Sequence, residues 1–150
     1  MTSPELRQLY QEVILDHSKS PRNHQDVEEA SHSADGHNPL CGDRVHITVK
    51  LKDDRVEEVG FTGTGCAIST ASASILTETL RGKSVEEAKE IFERFHQMAT
   101  AEPGTPPDES LGKLAVLAGV SEFPARVKCA TLSWHTFVAA IDEAEDVTTE

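Results

Sequence analysis

The 150-residue chain has few cysteines, few aromatic residues and no long apolar run. Its three cysteines are an odd number spread over the whole chain, which argues against a disulfide framework. No stretch approaches the roughly 18 consecutive apolar residues of a membrane-spanning helix, and the N-terminus MTSPELRQLY lacks the apolar core of a signal peptide. We therefore expect a cytoplasmic protein that folds without disulfides.

Positive charge is also scarce, above all towards the C-terminus. The formal net charge is −12, and no lysine or arginine follows Lys128, whereas aspartates and glutamates crowd the tail. Nucleic acids and anionic membrane surfaces bind proteins through cationic patches, so the composition argues against both as partners. A protein partner with a basic surface suits this chain better.

The hydrophobic pattern predicts one domain over residues 1–150, long enough to bury a core. Apolar residues alternate with polar ones over residues 44–51, which predicts a half-buried strand, and a second strand is expected over 56–63. Residues 18–40 have almost no large apolar side chain and are predicted to form a loop or irregular extended chain.

Helical spacing of apolar residues predicts helices on both sides of these strands. The predicted helices cover residues 4–17, 67–80, 85–98, 110–120 and 129–145. Ser84 and Glu87 form a capping box at the start of the third. Most of the helices follow the strands, which predicts an α+β fold in which helices pack on one face of a small antiparallel sheet.

The chemistry-bearing residues lie at predicted element ends. Cys41 and Asp43 precede the first predicted strand, Cys66 follows a glycine-rich turn at a helix start, and Cys129 begins the last predicted helix. Helix N-termini favour the thiolate form of cysteine, which is the form that binds metal or attacks sulfur.

Three thiolates and one carboxylate would form a closed tetrahedral zinc site, and iron or an iron–sulfur cluster could use the same donors. The spacing by itself leaves open that the cysteines are ordinary buried residues. The seven histidines show no ligand spacing such as H-x-x-x-H.

Four blocks in the same order, LYQEVILDHSKSPRN, NPLCGDRV, GTGCAISTASAS and ARVKCATLSW, resemble the IscU/SufU family of iron–sulfur cluster assembly proteins. The resemblance covers nearly the whole chain. Two features resemble the SufU branch: Lys128 stands where IscU-type scaffolds have a histidine, and the long segment between Cys66 and Cys129 looks like the insertion of SufU proteins.

The resemblance implies a zinc site made by Cys41, Asp43, Cys66 and Cys129. It also implies that Cys41 accepts persulfide sulfur from a PLP-dependent cysteine desulfurase of the SufS type and that downstream cluster assembly proteins are further partners. In the SufU family, a histidine of the desulfurase takes a place on zinc and frees the cysteine matching Cys41. That cysteine is also the plausible ligand to leave because it follows the long polar segment and is next to Gly42.

Arg126 and Lys128 flank Cys129 and could stabilise thiolates or a persulfide, contact the partner, or simply be solvated charges. Two other functions remain open at this point. One is an IscU-type scaffold that carries a transient iron–sulfur cluster. The other is a structural zinc domain whose metal only stabilises the fold.

Overall fold

The computed structural model describes residues 4–40, 42–142 and 146–148. In chain order, its elements are α1 (Pro4–Lys19), β1 (His32–Asn38), β2 (Asp43–Lys52), β3 (Arg55–Thr64), α2 (Ala67–Leu80), α3 (Val85–Ala99), a 3-10 segment (Glu109–Glu122), α4 (Pro124–Ile141) and β4 (Asp146–Thr148). No helix in this part of the chain is long and apolar enough to cross a membrane.

The sheet has the strand order β3-β2-β1-β4, and its first three strands are antiparallel. The short strand β4 pairs with β1 in parallel. The alternation that predicts β2 corresponds to its burial: Val45, Ile47 and Val49 point into the core, and α4 packs against β1 and β2. The predicted antiparallel sheet with packed helices is therefore confirmed.

Strand β1 lies inside the segment predicted to be a loop, so the loop prediction was wrong for residues 32–38. Its inward positions hold Ala34, Gly36 and Asn38 instead of large apolar residues. A Cβ at Gly36 would collide with the hydroxyl of Thr136 on α4, so small residues are needed for the helix to approach this closely. A strand with this composition has no alternating hydrophobic signal.

The outer edge of β3 is covered by the chain that follows α1. The Phe61 N–H donates to the Asn23 carbonyl at 3.1 Å, and a Cβ at Gly60 would meet the carbonyl oxygen of Gln25. The Asn23 side chain also donates to Thr77 of α2 at 3.0 Å. This segment therefore joins the sheet edge to the helical layer.

The helices follow the predicted order with two changes in detail. The capping box of Ser84 and Glu87 is present at the start of α3. The predicted helix over 110–120 is instead a 3-10 segment broken at Gly112, whose φ is 61°. Helix α4 begins at Pro124, before the predicted start, and ends at Ile141; residues 143–145 of that prediction lie outside the described residues.

Candidate metal centre

Asp43 is positioned by the hairpin between β1 and β2. It is the first residue of β2 and pairs with Asn38, the last residue of β1. Its side chain is completely buried, although it is a carboxylate. Cys41 stands between these two residues in the sequence and lies outside the described residues. Leu40 and Gly42, on either side of it, are exposed.

Cys66 is the N-cap residue of α2, as the sequence predicts. Its sulfur accepts a hydrogen bond from the Ser69 N–H at 3.4 Å, and its own N–H donates to Asp43 Oδ1 at 2.9 Å. A Cβ at Gly65 would lie 2.9 Å from that same oxygen, so the glycine lets the turn approach the carboxylate. The helix start and the buried carboxylate are therefore directly joined.

Cys129 lies in the second turn of α4, and the prediction that it begins the helix was wrong. Pro124 occupies the first turn, where its fixed φ and missing N–H are tolerated, so the helix starts earlier than a proline-containing connector suggests. The Cys129 side chain is completely buried, and its sulfur is 3.7 Å from the Ala125 carbonyl.

These three residues meet although they are far apart in the sequence. A ligand oxygen of Asp43 and the sulfurs of Cys66 and Cys129 all lie within 4.8 Å of one another. Two thiols and a carboxylate are a donor set typical of zinc. Since the three come from a hairpin and two helices, the fold brings donors of the right type together, and the residues present fit a zinc ion.

The sequence predictions did not include Asn38, which is completely buried beside these groups. Its Nδ2 lies 3.3 Å from Asp43 Oδ2 and 3.6 Å from Cys129 Sγ. The only sequence signal was its place in the NPLCGDRV block, since a polar residue in a polar segment carries no periodic information.

The two cations predicted near the centre occupy different environments. Arg126 is exposed and lines a cavity of about 640 Å³, whereas Lys128 is half-buried on α4. Ile68 and Phe123 line the same cavity. Ile68 is two residues after Cys66, and Phe123 immediately precedes α4, the helix that carries Cys129. The roles of Arg126 and Lys128 towards thiolates or a partner stay predictions.

His17 forms a separate buried network that joins α1, α2 and the 3-10 segment. Its Nδ1 is 2.7 Å from Ser74 Oγ, and its Nε2 is 3.1 Å from Lys113 Nζ. Burial lowers the pKa of His17, and the positive charges of Arg22 and Lys113 lower it further, against smaller opposing effects of Glu78 and Asp16. The imidazole is therefore held in its neutral form, with Nε2 accepting from the lysine.

This network predicts an acid-sensitive contribution to stability. An unfolded chain binds a proton at its histidines near pH 6.5, whereas folded His17 resists protonation. The stabilisation by neutral His17 is complete above that pH and is lost as the pH falls towards the lower folded pKa. The free energy of unfolding in urea, measured at about pH 7.5 and about pH 5.5, should fall less in H17Q than in the wild type.

The exposed His24 provides a matched control for this measurement. H24Q should keep the acid dependence of the wild type, because it leaves His17 and its partners unchanged. An unchanged acid dependence in H17Q would contradict the interpretation.

Comparison with known proteins gives one family and several relatives. The family described as "NifU-like N terminal domain" matches residues 9–130. The zinc-dependent sulfurtransferase SufU of Bacillus subtilis is 45% identical over 91% of this chain and 92% of its own. The iron-sulfur cluster assembly scaffold protein IscU of Streptococcus pyogenes is 40% identical over 94% of this chain and 87% of its own.

Solved structures agree with this similarity. A putative iron-sulfur cluster assembly scaffold protein for the SUF system from Fervidobacterium islandicum superposes with a TM-score of 0.80 at 34% identity, covering 90% of this chain and 98% of the other. A NifU-like N-terminal structure from Brucella abortus, at 22% identity and a TM-score of 0.80 over 89% of this chain and 92% of the other, supports the fold alone.

Proposed function

Because the chain belongs to the NifU-like N-terminal domain family, the IscU/SufU family of iron–sulfur cluster assembly, we propose that it is a SufU-type, zinc-dependent acceptor of sulfur from a cysteine desulfurase. The observation that carries the proposal is the meeting of Asp43, Cys66 and Cys129. The identity to the Bacillus subtilis protein and the presence of Lys128 favour the SufU type.

In this proposal Cys41, Asp43, Cys66 and Cys129 hold the zinc. When bound, zinc would keep the coordinated thiols deprotonated and shield them from other reactions. Asp43 is prepared for this role because hydrogen bonds from Cys66 and Asn38 already fix its carboxylate in a buried place. The cytoplasm is the proposed compartment, since its reducing environment keeps cysteines free.

Cys41 is the proposed acceptor of sulfur. Its thiolate attacks the outer sulfur of the desulfurase persulfide, so that a new S–S bond forms on Cys41 while the donor's S–S bond breaks. The bonding electron pair and the negative charge leave with the donor cysteine, and no external oxidant or reductant is needed. The exposure of Leu40 and Gly42 supports access to this turn, and Gly42 has a positive φ of 72°.

The partners in this proposal are a SufS-type, PLP-dependent desulfurase and downstream cluster assembly proteins. The net charge of −12 favours a basic surface on the desulfurase at the point of contact. Neither nucleic acid nor a membrane is part of the proposed function.

Metal analysis of the protein purified anaerobically without added metal tests the proposal. We expect about one zinc per chain and no acid-labile sulfide, as a closed tetrahedral site requires. The second candidate function is an IscU-type scaffold, which the 40% identity to the Streptococcus pyogenes protein favours. Iron with matching sulfide would support that scaffold and contradict the zinc-dependent acceptor.

A further inference from the structure

We propose that Asn38 is a positioning residue of the metal centre, and that its side-chain amide holds Asp43 and Cys129 in the orientation in which they bind zinc. The inference rests on the proposed function, because it concerns the same centre. Asn38 is the last residue of β1 and is completely buried. A buried amide costs free energy unless its polar atoms are hydrogen-bonded, so its partners matter.

Both ends of the Asn38 amide have partners at the hairpin or at the centre. The Leu40 N–H donates to Asn38 Oδ1 at 3.3 Å. At the other end, Nδ2 donates to Asp43 Oδ2 at 3.3 Å and to Cys129 Sγ at 3.6 Å. One side chain therefore connects the hairpin of β1 and β2 to helix α4.

The orientation of this amide follows from chemistry. A backbone N–H can only donate, so the Leu40 N–H must face the amide oxygen and not the NH₂ group. The NH₂ group then faces the carboxylate of Asp43 and the sulfur of Cys129. The reverse orientation would place the amide oxygen against two acceptors. The hydrogen-bond partners therefore allow only one orientation of the Asn38 amide.

The consequence for Asp43 is a carboxylate held on both sides. Oδ1 accepts from the Cys66 N–H at 2.9 Å, and Oδ2 accepts from Asn38. Each carboxylate oxygen has a further lone pair, which remains for a metal ion. Removing the Asn38 donors would leave one oxygen of a buried carboxylate without this partner and let the group rotate.

The backbone of Asn38 has a separate role. Its carbonyl accepts from the Gly42 N–H at 2.9 Å and closes the turn between β1 and β2. Substitution of the side chain leaves this bond possible, so variants at position 38 test the amide group and not the closure of the turn.

Zinc affinity and the cobalt spectrum of position-38 variants test the inference. We would measure zinc affinity in the full chain by competition with a chromophoric chelator, and the visible absorption of the Co²⁺-substituted protein. Partners of metal ligands typically contribute about 10–100-fold to affinity, so N38A should weaken zinc binding by about that factor and alter the cobalt bands. The bands report ligand geometry, which loss of stability alone does not change.

N38L is the volume-retaining variant and decides the question if N38A does not fold. It keeps the space filled but lacks both donors, so it should show the same loss of affinity and the same spectral change. T77V is the matched control, because Thr77 carries a buried hydroxyl on α2 whose hydrogen-bond partners are Asn23, Ser74 and the Arg22 carbonyl. It should bind both metals as the wild type does.

The outcomes separate this inference from the proposed function. Wild-type affinity and a wild-type cobalt spectrum in N38L would overturn the positioning role while leaving the zinc site in place. Failure of the wild-type chain itself to bind zinc or cobalt would overturn the proposed function, and the positioning role with it.

Discussion

Cys41→Ser should reduce sulfur acceptance from a cysteine desulfurase to the background of the desulfurase alone. A serine hydroxyl cannot form a persulfide, and no exchange with the donor's S–S bond can start from it. Asp43, Cys66 and Cys129 remain in the variant and still lie within 4.8 Å of one another, so zinc binding should survive in part. The readout is sulfur bound to each cysteine, identified by mass spectrometry after reaction with desulfurase and L-cysteine.

Two comparisons make this result specific. The circular dichroism spectrum of the variant should match the wild type, because the substitution adds no bulk to an exposed turn. A suitable control is S31A, since Ser31 is an exposed serine just before β1 and should not affect transfer. Transfer that persists in Cys41→Ser, with sulfur found on Cys66 or Cys129, would refute Cys41 as the acceptor.

Asp43→Ala should have the second large effect, on zinc binding. The substitution removes a proposed ligand, and we expect zinc affinity to fall by more than about 100-fold, beyond the loss typical for partners of ligands. It also removes the acceptor of the Cys66 N–H and one of the two acceptors of the Asn38 NH₂ group, which should cost roughly 1–3 kcal/mol of stability. Competition with a chelator measures the first effect and urea unfolding of the metal-free protein the second.

Asp35 provides the control, because its carboxylate is exposed on β1 and bonds only to His46 at 2.9 Å among the contacts described for it. D35A should keep wild-type zinc affinity and lose little stability, as exposed ion pairs contribute little. Zinc affinity that D43A retains in full would contradict the proposed ligand role of the buried carboxylate.

The sequence predicts those elements whose packing requires a repeating pattern of large apolar residues. The alternation of Val45, Ile47 and Val49 indicates β2 because one face of that strand is buried. The same logic fails for β1, where α4 approaches Gly36 so closely that no side chain fits there and the pattern disappears.

The residues of the candidate site likewise fall into those that the sequence predicts and those that only the structure shows. Residue type and resemblance suffice to select Asp43, Cys66 and Cys129, which the fold brings together. Asn38 could not be selected in this way, because its importance depends on a turn geometry that points its amide at two groups distant in sequence. The sequence predicted the start of α4 too late, because a proline can either interrupt a helix or occupy its first turn, and Pro124 does the second.

The covered edge of β3 bears on how this protein can meet others. On one side the segment around Asn23 lies along β3, and on the other β4 adds to β1. An open strand edge invites pairing with another chain and, at high concentration, aggregation. Around Phe61, where the Asn23 carbonyl accepts the outward backbone N–H of β3, an encounter with another protein must use side-chain surfaces, and contacts of that kind form and dissolve without strand exchange. Such contacts suit the proposed sulfur carrier, which must release each partner after every delivery.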